Sequence, residues 1–286
     1  MPRHTSLLLI SLGVAAALLA ACGQRQCGKP IVTVSLQPQK YMLEQITGDT
    51  YEIRCLLSNG GNPETYDPSF TNLMNAEHSV AYLRMGNIGF EDAIVDKIHE
   101  SNPSLPIYNT SEGIMPVRGT HGHDETDPHT WTSIRNARVI ARNMCRAMSE
   151  VDPANAGVFE ANCRRFVARM DSLDSVAVRR LAPRAGQAFA VWHPSLSYFA
   201  RDYGLRQIVI GGAEHKEASI PALKKHIDEA RESGATVFFV HKELDGRNAD
   251  AVTDRIGATR VDINPLSHDW LGQMTLTINA IANDGE

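Results

Sequence analysis

Short apolar or β-branched runs alternate with helical patterns along almost the whole chain, and this alternation is the strongest constraint on its fold. The runs have the length and composition of strands. They lie at residues 31–35, 51–57, 80–83, 106–108, 187–191, 207–210, 236–240 and 259–263. Strands that alternate with helices favour parallel sheets covered by helices. We therefore predict an α/β fold with two lobes of mainly parallel strands.

One long helical pattern separates the two groups of strands. Pro153 stands at the first helical position, which proline favours, and Asp152 is the expected N-terminal cap. The pattern continues to Leu181, which corresponds to a helix of about 42 Å at 1.5 Å per residue. We therefore predict an N-terminal lobe, a linking helix and a C-terminal lobe at residues 31–152, 153–183 and 184–286.

The N-terminus has the pattern of an export signal. An uncharged apolar run extends from Leu7 to Ala21, which is too short for a stable membrane span and is typical of a signal peptide. It ends in Leu19-Ala20-Ala21-Cys22, which matches the bacterial lipobox. We predict a signal peptide at 1–21, lipidation of Cys22 and a tether at 22–30, so that the lipid holds the protein on a membrane at its periplasmic or cell-surface side. An ordinary signal peptide that happens to meet a cysteine is the alternative.

Charge and cysteine content narrow the class further. The 286 residues include 28 Lys and Arg against 33 Asp and Glu, a formal charge of −5 without a basic stripe, so nucleic acid is not an expected partner. An oxidising compartment permits disulfides. Besides Cys22, cysteines stand at 27, 55, 145 and 163, and four cysteines allow three pairings. Cys145 and Cys163 lie on consecutive predicted helices and could meet, while buried free thiols are the alternative.

Residues typical of metal sites follow several of the predicted strands. In open parallel sheets, ligands bind just beyond the carboxyl ends of the strands. Histidine nitrogen and carboxylate oxygen are the zinc ligands expected where thiolate ligands are missing. Such residues occur in the segments 60–68, 127–131, 192–199 and 262–266, which are spread over both predicted lobes. We therefore predict a metal site in the cleft between the lobes.

The motifs in these segments resemble those of the ZnuA/TroA-like metal-binding subunits of ABC importers, over nearly all of the mature chain. The matching motifs are Pro63-Glu64-Thr65-Tyr66-Asp67-Pro68, Asp127-Pro128-His129-Thr130-Trp131, His193-Pro194-Ser195 with Tyr198-Phe199, and Asn264-Pro265-Leu266 with Asp269-Trp270. The resemblance implies a binding protein rather than an enzyme. Its transported ligand would be Zn(II), and its partner would be the permease of an ABC importer.

The resemblance also implies four metal-ligand positions. The second and third match at His129 and His193. At the first position this chain has Glu64, where family members usually have histidine; glutamate still ligates zinc through oxygen at about 2.0–2.2 Å. At the fourth it has Asn264 where the family pattern is aspartate, and an amide is a much poorer zinc ligand than a carboxylate. Asp262, two residues earlier and on the same face of a regular strand, is an alternative, as are His241, His268 and water.

The identity of the metal and the class of function have alternatives. Two imidazoles with carboxylate suit Zn²⁺, and Mn²⁺ or Fe²⁺ also accept such a set. His193, where manganese-type relatives tend to have glutamate, favours zinc, as does the loop His121-Gly122-His123-Asp124, which resembles a shortened histidine-rich loop of zinc-type members. A receptor for Mn(II) or Fe(II) is the alternative within the family. A zinc-dependent hydrolase is the alternative from another class, although the HExxH and GxSxG motifs are missing from the sequence.

Overall fold

The computed structural model describes residues 28–57, 61–63, 65–118, 126–211, 218–241 and 249–282. Several predicted features lie outside the described residues. These are the signal peptide at 1–21, the lipidation site Cys22 with most of the tether at 22–30, Cys27, the ligand Glu64 and the loop at 121–124.

The first lobe is built on a sheet of four parallel strands in the order β2-β1-β3-β4. Its strands are β1 (Ile31–Val34), β2 (Glu52–Cys55), β3 (Ala81–Arg84) and β4 (Ile107–Asn109). The helices of this half are α1 (Gln37–Thr47), α2 (Phe70–Glu77), α3 (Gly89–Ser101) and α4 (Ile134–Val151). The two central strands are the most apolar, as expected where helices cover both faces of a parallel sheet.

The second lobe repeats this arrangement with the strand order β6-β5-β7-β8. Its strands are β5 (Ala188–Val191), β6 (Arg206–Val209), β7 (Val237–His241) and β8 (Thr259–Ile263). Its helices are α6 (Ser197–Tyr203), α7 (Ile220–Glu232), α8 (Ala249–Ile256) and α9 (Trp270–Ala282). Every residue of β5 and β7 is buried, whereas the edge strands β6 and β8 are partly exposed. The predicted fold of two α/β lobes with parallel sheets is confirmed.

A 26-residue helix, α5 (Ala156–Leu181), joins the lobes and is about 39 Å long. The predicted start at Pro153 is wrong by three residues. α4 continues to Val151, and the Asp152 amide donates to the Met148 carbonyl at 2.9 Å, which closes that helix. The residues between the two helices make the reversal of the chain, so Pro153 lies in the turn and Asn155 precedes the first turn of α5.

One apolar core extends through both lobes. It contains Val32 from the first sheet, Phe166 from α5 and Phe239 from the second sheet, each at most 2 % exposed. A smaller cluster covers the other face of the second sheet, beneath α7 and α8. Because a single core includes the linking helix and both sheets, the lobes are packed against each other rather than tethered by a linker. None of the helices in the described part of the chain is long and apolar enough to cross a membrane.

A buried carboxylate holds the carboxyl ends of β1 and β3 together. The Glu91 side chain is fully buried and accepts hydrogen bonds from the Met85 amide (2.6 Å), the Gly86 amide (2.7 Å) and the Ser35 hydroxyl. Burial raises the pKa of the Glu91 carboxyl, and these hydrogen bonds oppose the shift. The strand order places β1 beside β3, where the crossovers leave in opposite directions, so Glu91 fixes the first lobe's topological switch point.

Replacing Glu91 by glutamine should lower the free energy of unfolding by about 1–3 kcal/mol, because one buried amide loses its acceptor. Urea denaturation of the wild type and of Glu91→Gln measures this difference. Glu100→Gln, at an exposed position of the same helix, is the matched control and should stay within about 0.5 kcal/mol of the wild type. Equal losses at the two positions would show that the buried network does not stabilise the fold.

Candidate metal centre

His129 is held by its own loop in one orientation. The loop follows β4 and leads into the short turn Thr130–Thr132, and His129 is only 3 % exposed. The buried Asp127 carboxylate accepts from the His129 backbone amide at 2.8 Å and lies 2.9 Å from the His129 Nδ1 atom. A carboxylate can only accept, so Nδ1 is the protonated nitrogen of the neutral ring and Nε2 keeps its lone pair. His129 is thereby prepared as a metal ligand through Nε2.

His193 approaches from the second lobe. It follows β5 by two residues, at the carboxyl edge of the second sheet. The His193 Nε2 atom lies 3.2 Å from the His129 Nε2 atom, and the ring planes are inclined by 71° with centroids 5.0 Å apart. Two Zn–N bonds of 2.0–2.1 Å at the tetrahedral angle place the nitrogens about 3.3–3.4 Å apart. The two imidazoles therefore have the separation of two ligands on one metal ion.

A small cavity lies behind His193 in the second lobe. Its volume is about 10 Å³, close to the space that one water molecule requires. It is lined by Val191, His193, Ser195, Phe239, His241 and Ile263. His193 and His241 stand at the ends of β5 and β7, the central pair at which the crossovers diverge. His193 and His241 therefore lie at the topological switch point of this lobe, where ligands of parallel sheets bind.

Asp262 and Asn264, two of the candidates for the fourth position, have other partners in the structure. Asp262 is exposed, and its carboxylate lies 2.7 Å from the Arg260 Nε atom, because β8 is the edge strand and its outer face meets solvent. The structure therefore does not bring Asp262 to the histidine pair. The Asn264 side-chain oxygen accepts from the Leu266 backbone amide at 2.9 Å. The Asn264 backbone amide donates to the side-chain oxygen of Gln273 at 2.8 Å. Asn264 thus shapes the turn after β8.

The remaining predicted ligands have separate surroundings. His268 lies 2.7 Å from the Glu44 carboxylate, between the second lobe and α1, and His241 is buried beside His193 in the cavity. Among the described residues, no group of three His, Cys, Asp or Glu side chains is arranged to hold a metal. Within that part of the chain, the structure therefore brings together two of the predicted ligands, His129 and His193.

Hydrogen bonds across the lobes hold the His129 loop in place. The Trp131 indole donates to the Pro265 carbonyl at 2.8 Å, and the Trp270 indole donates to the Trp131 carbonyl at 2.7 Å. The Tyr198 hydroxyl donates to the Asp127 carbonyl at 2.8 Å. The sequence places Tyr198 in the motif that begins at His193 but assigns it no role, and in the structure it anchors the loop of Asp127.

Fold and site together define a two-lobed α/β protein with a pair of metal-type histidines, one from each lobe. A family model described as "Zinc-uptake complex component A periplasmic" matches residues 32–284. The chain belongs to this family.

Known relatives agree with this membership. A crystal structure of a ZnuA deletion mutant with zinc bound has a TM-score of 0.82 and 32 % identity, covering 90 % of this chain and 98 % of the other. The high-affinity zinc uptake system protein ZnuA of Bacillus subtilis is 24 % identical, over 87 % of this chain and 85 % of its own length. The iron-binding protein YfeA of Yersinia pestis is 25 % identical, over 75 % and 70 %.

Asp127→Asn should weaken zinc binding about 10- to 100-fold, because the carboxylate that orients His129 and increases its basicity is lost. Zinc titration followed by calorimetry measures the affinity, and far-UV circular dichroism checks that the variant is folded. The control Asp254→Asn changes the same functional group at an exposed position of α8 and should leave the affinity unchanged. A folded Asp127→Asn protein with the wild-type affinity would show that Asp127 has no part in binding.

Proposed function

We propose that the mature chain is an extracytoplasmic receptor that captures Zn(II) and delivers it to the permease of an ABC importer. The observation that carries the proposal is the 3.2 Å separation of the His129 and His193 Nε2 atoms. One nitrogen comes from each lobe, at the edge where parallel sheets bind ligands. Membership of a zinc-uptake family and the likeness to a zinc-bound ZnuA structure support this cargo.

The proposed ligand set begins with His129 and His193, and Glu64 supplies the third ligand. Glu64 belongs to the segment after β2, a strand whose carboxyl end lies at the same edge of the first sheet as that of β1. Water completes a four-coordinate site, and Asn264 is the protein alternative at that position. Asp262 is the weaker alternative because its carboxylate is already paired with Arg260.

Delivery to a permease requires release of the ion without unfolding of the receptor. The common core and the cross-lobe bonds of Trp131 and Trp270 restrain rotation of one lobe against the other. We infer that uptake and release act through the ligand loops, with little movement of the sheets. The permease then distinguishes loaded from empty receptor by the conformation of those loops.

The location of the receptor follows from its N-terminal residues. Cleavage after Ala21 and lipidation of Cys22 would hold the mature chain at the outer side of a membrane, in the periplasm or at the cell surface. A Cys22→Ala variant should then be recovered in the soluble extracytoplasmic fraction rather than with membranes. A wild-type chain found only in the cytosol would contradict this location.

The decisive experiment is a metal titration of residues 23–286 after removal of bound metal. One tight zinc site is expected by calorimetry, with affinity lowered at least 100-fold by His129→Ala or His193→Ala and at least 10-fold by Glu64→Ala. Zinc at 100 times its dissociation constant should raise the free energy of unfolding by about 2.7 kcal/mol. His99→Ala, at an exposed position of α3, is the matched control.

The other outcomes separate the alternatives. Tighter binding of Mn²⁺ or Fe²⁺ than of Zn²⁺ would assign the chain to a manganese or iron receptor with the same site. Turnover of model esters or peptides by the zinc-loaded protein, lost in His129→Ala, would favour the zinc-dependent hydrolase. The absence of a tight site for any of these metals would contradict the proposed function.

A further inference from the structure

Two buried cysteines face each other between α4 and the linking helix α5. Cys145 and Cys163 are 8 % and 6 % exposed and belong to the main apolar core. Both are free thiols in this structure, and the two side chains are close enough to hydrogen-bond with each other. The Cys163 Sγ atom also lies 3.6 Å from the carbonyl oxygen of Ala141, one helical turn before Cys145. The two side chains therefore meet at a close approach of the helices.

We propose that Cys145 and Cys163 form an intramolecular disulfide in the exported protein. The two thiols lose two protons and two electrons as the S–S bond forms. The oxidant is a second, reactive disulfide. It accepts the two electrons and two protons, and its own S–S bond breaks to give two thiols. The inference rests on the proposed function for its compartment, because such oxidants act outside the cytoplasm.

Burial determines when this bond can form. Desolvation raises the pKa of the Cys163 thiol to about 12 and also raises the pKa of the Cys145 thiol. The thiolate is the reactive form, so the folded thiols react slowly with an external disulfide. Oxidation therefore takes place during folding, before α4 and α5 have closed over the pair.

The disulfide would act on the metal centre through α4. This helix begins at Ile134, directly after the turn Thr130–Thr132 that follows His129. A covalent bond to α5 fastens the helix behind the His129 loop to the helix that joins the lobes. This bond would reduce the freedom of the loop's anchoring helix without touching either histidine.

Cys55 provides a comparison within the same chain. It lies in β2, and its thiol donates to the carbonyl oxygens of Ser35 (3.4 Å) and Leu57 (3.2 Å). Its surroundings are thus those of a hydrogen-bonded thiol at the edge of the first sheet. Cys55→Ser should leave the proposed bond intact.

The test uses the full chain exported to the periplasm of a bacterial host and denatured in an alkylating agent without reductant. After trypsin, we expect peptide 143–146 linked to peptide 147–164, a species that disappears on reduction. The species should persist in Cys55→Ser and be absent from Cys163→Ser. Reduction should lower the melting temperature of the wild type by roughly 5 °C or more, and that of Cys145→Ser/Cys163→Ser by much less. Full alkylation of both cysteines, or a bond from either to another cysteine, would overturn the proposal.

A refolding experiment separates this inference from the proposed location. The denatured, reduced protein is refolded in a buffer of reduced and oxidised glutathione, and the same buffer is added to reduced protein that is already folded. The linked peptides should form at least ten times faster during refolding. A protein that refolds with both thiols free refutes the disulfide wherever the chain resides, whereas retention of the wild-type chain in the cytosol refutes only the location.

Discussion

The proposed metal centre depends on the hydrogen bonds that Trp131 and Trp270 make between the lobes. His129 and His193 belong to different lobes, so their 3.2 Å separation exists only while the lobes keep one mutual position. Each indole meets a backbone carbonyl of the opposite half, and both indoles are 1 % exposed. A buried indole that loses its acceptor pays a desolvation penalty of about 1–3 kcal/mol, so sliding of the lobes is opposed at the site itself.

The sheets explain why the residues of the site meet at all. In both lobes the central strand pairs are parallel, and crossovers leave them in opposite directions. The first lobe closes its switch point with Glu91, whereas the second leaves a cavity there between His193 and His241. The first lobe contributes His129, its proposed nitrogen ligand, from a loop further along the chain. That loop needs Asp127 and Tyr198 to fix it, because no strand carries His129 directly.

Much of the fold was predictable because parallel strands that are covered by helices on both faces have short apolar runs as their sequences. The strand β7, Val-Phe-Phe-Val-His, is buried at every position, and its apolar, β-branched and aromatic composition predicts a buried strand. Local patterns failed where the partner was distant. Pro153 suits the first turn of a helix, so the sequence predicts that α5 begins there. The chain instead turns at Pro153 because α4 packs against α5, and the local sequence does not reveal that packing. The same limit applies to Asp262, since alternation along a strand predicts the face on which a side chain lies but not its neighbour, here Arg260.

At positions 64 and 264 this chain differs from the family pattern, and the two differences compensate each other in the net charge of the proposed site. The resemblance implies histidine at the first position and aspartate at the fourth, a set with one negative charge. Glu64 and Asn264 reverse that pair, so the charge opposing the ion is unchanged while the carboxylate moves from the second lobe to the first. The Leu266 backbone amide donates to the Asn264 side-chain oxygen at 2.9 Å, a bond that an aspartate oxygen would also accept. What the exchange removes is one imidazole nitrogen, and the preference for zinc over harder ions then depends on His129 and His193.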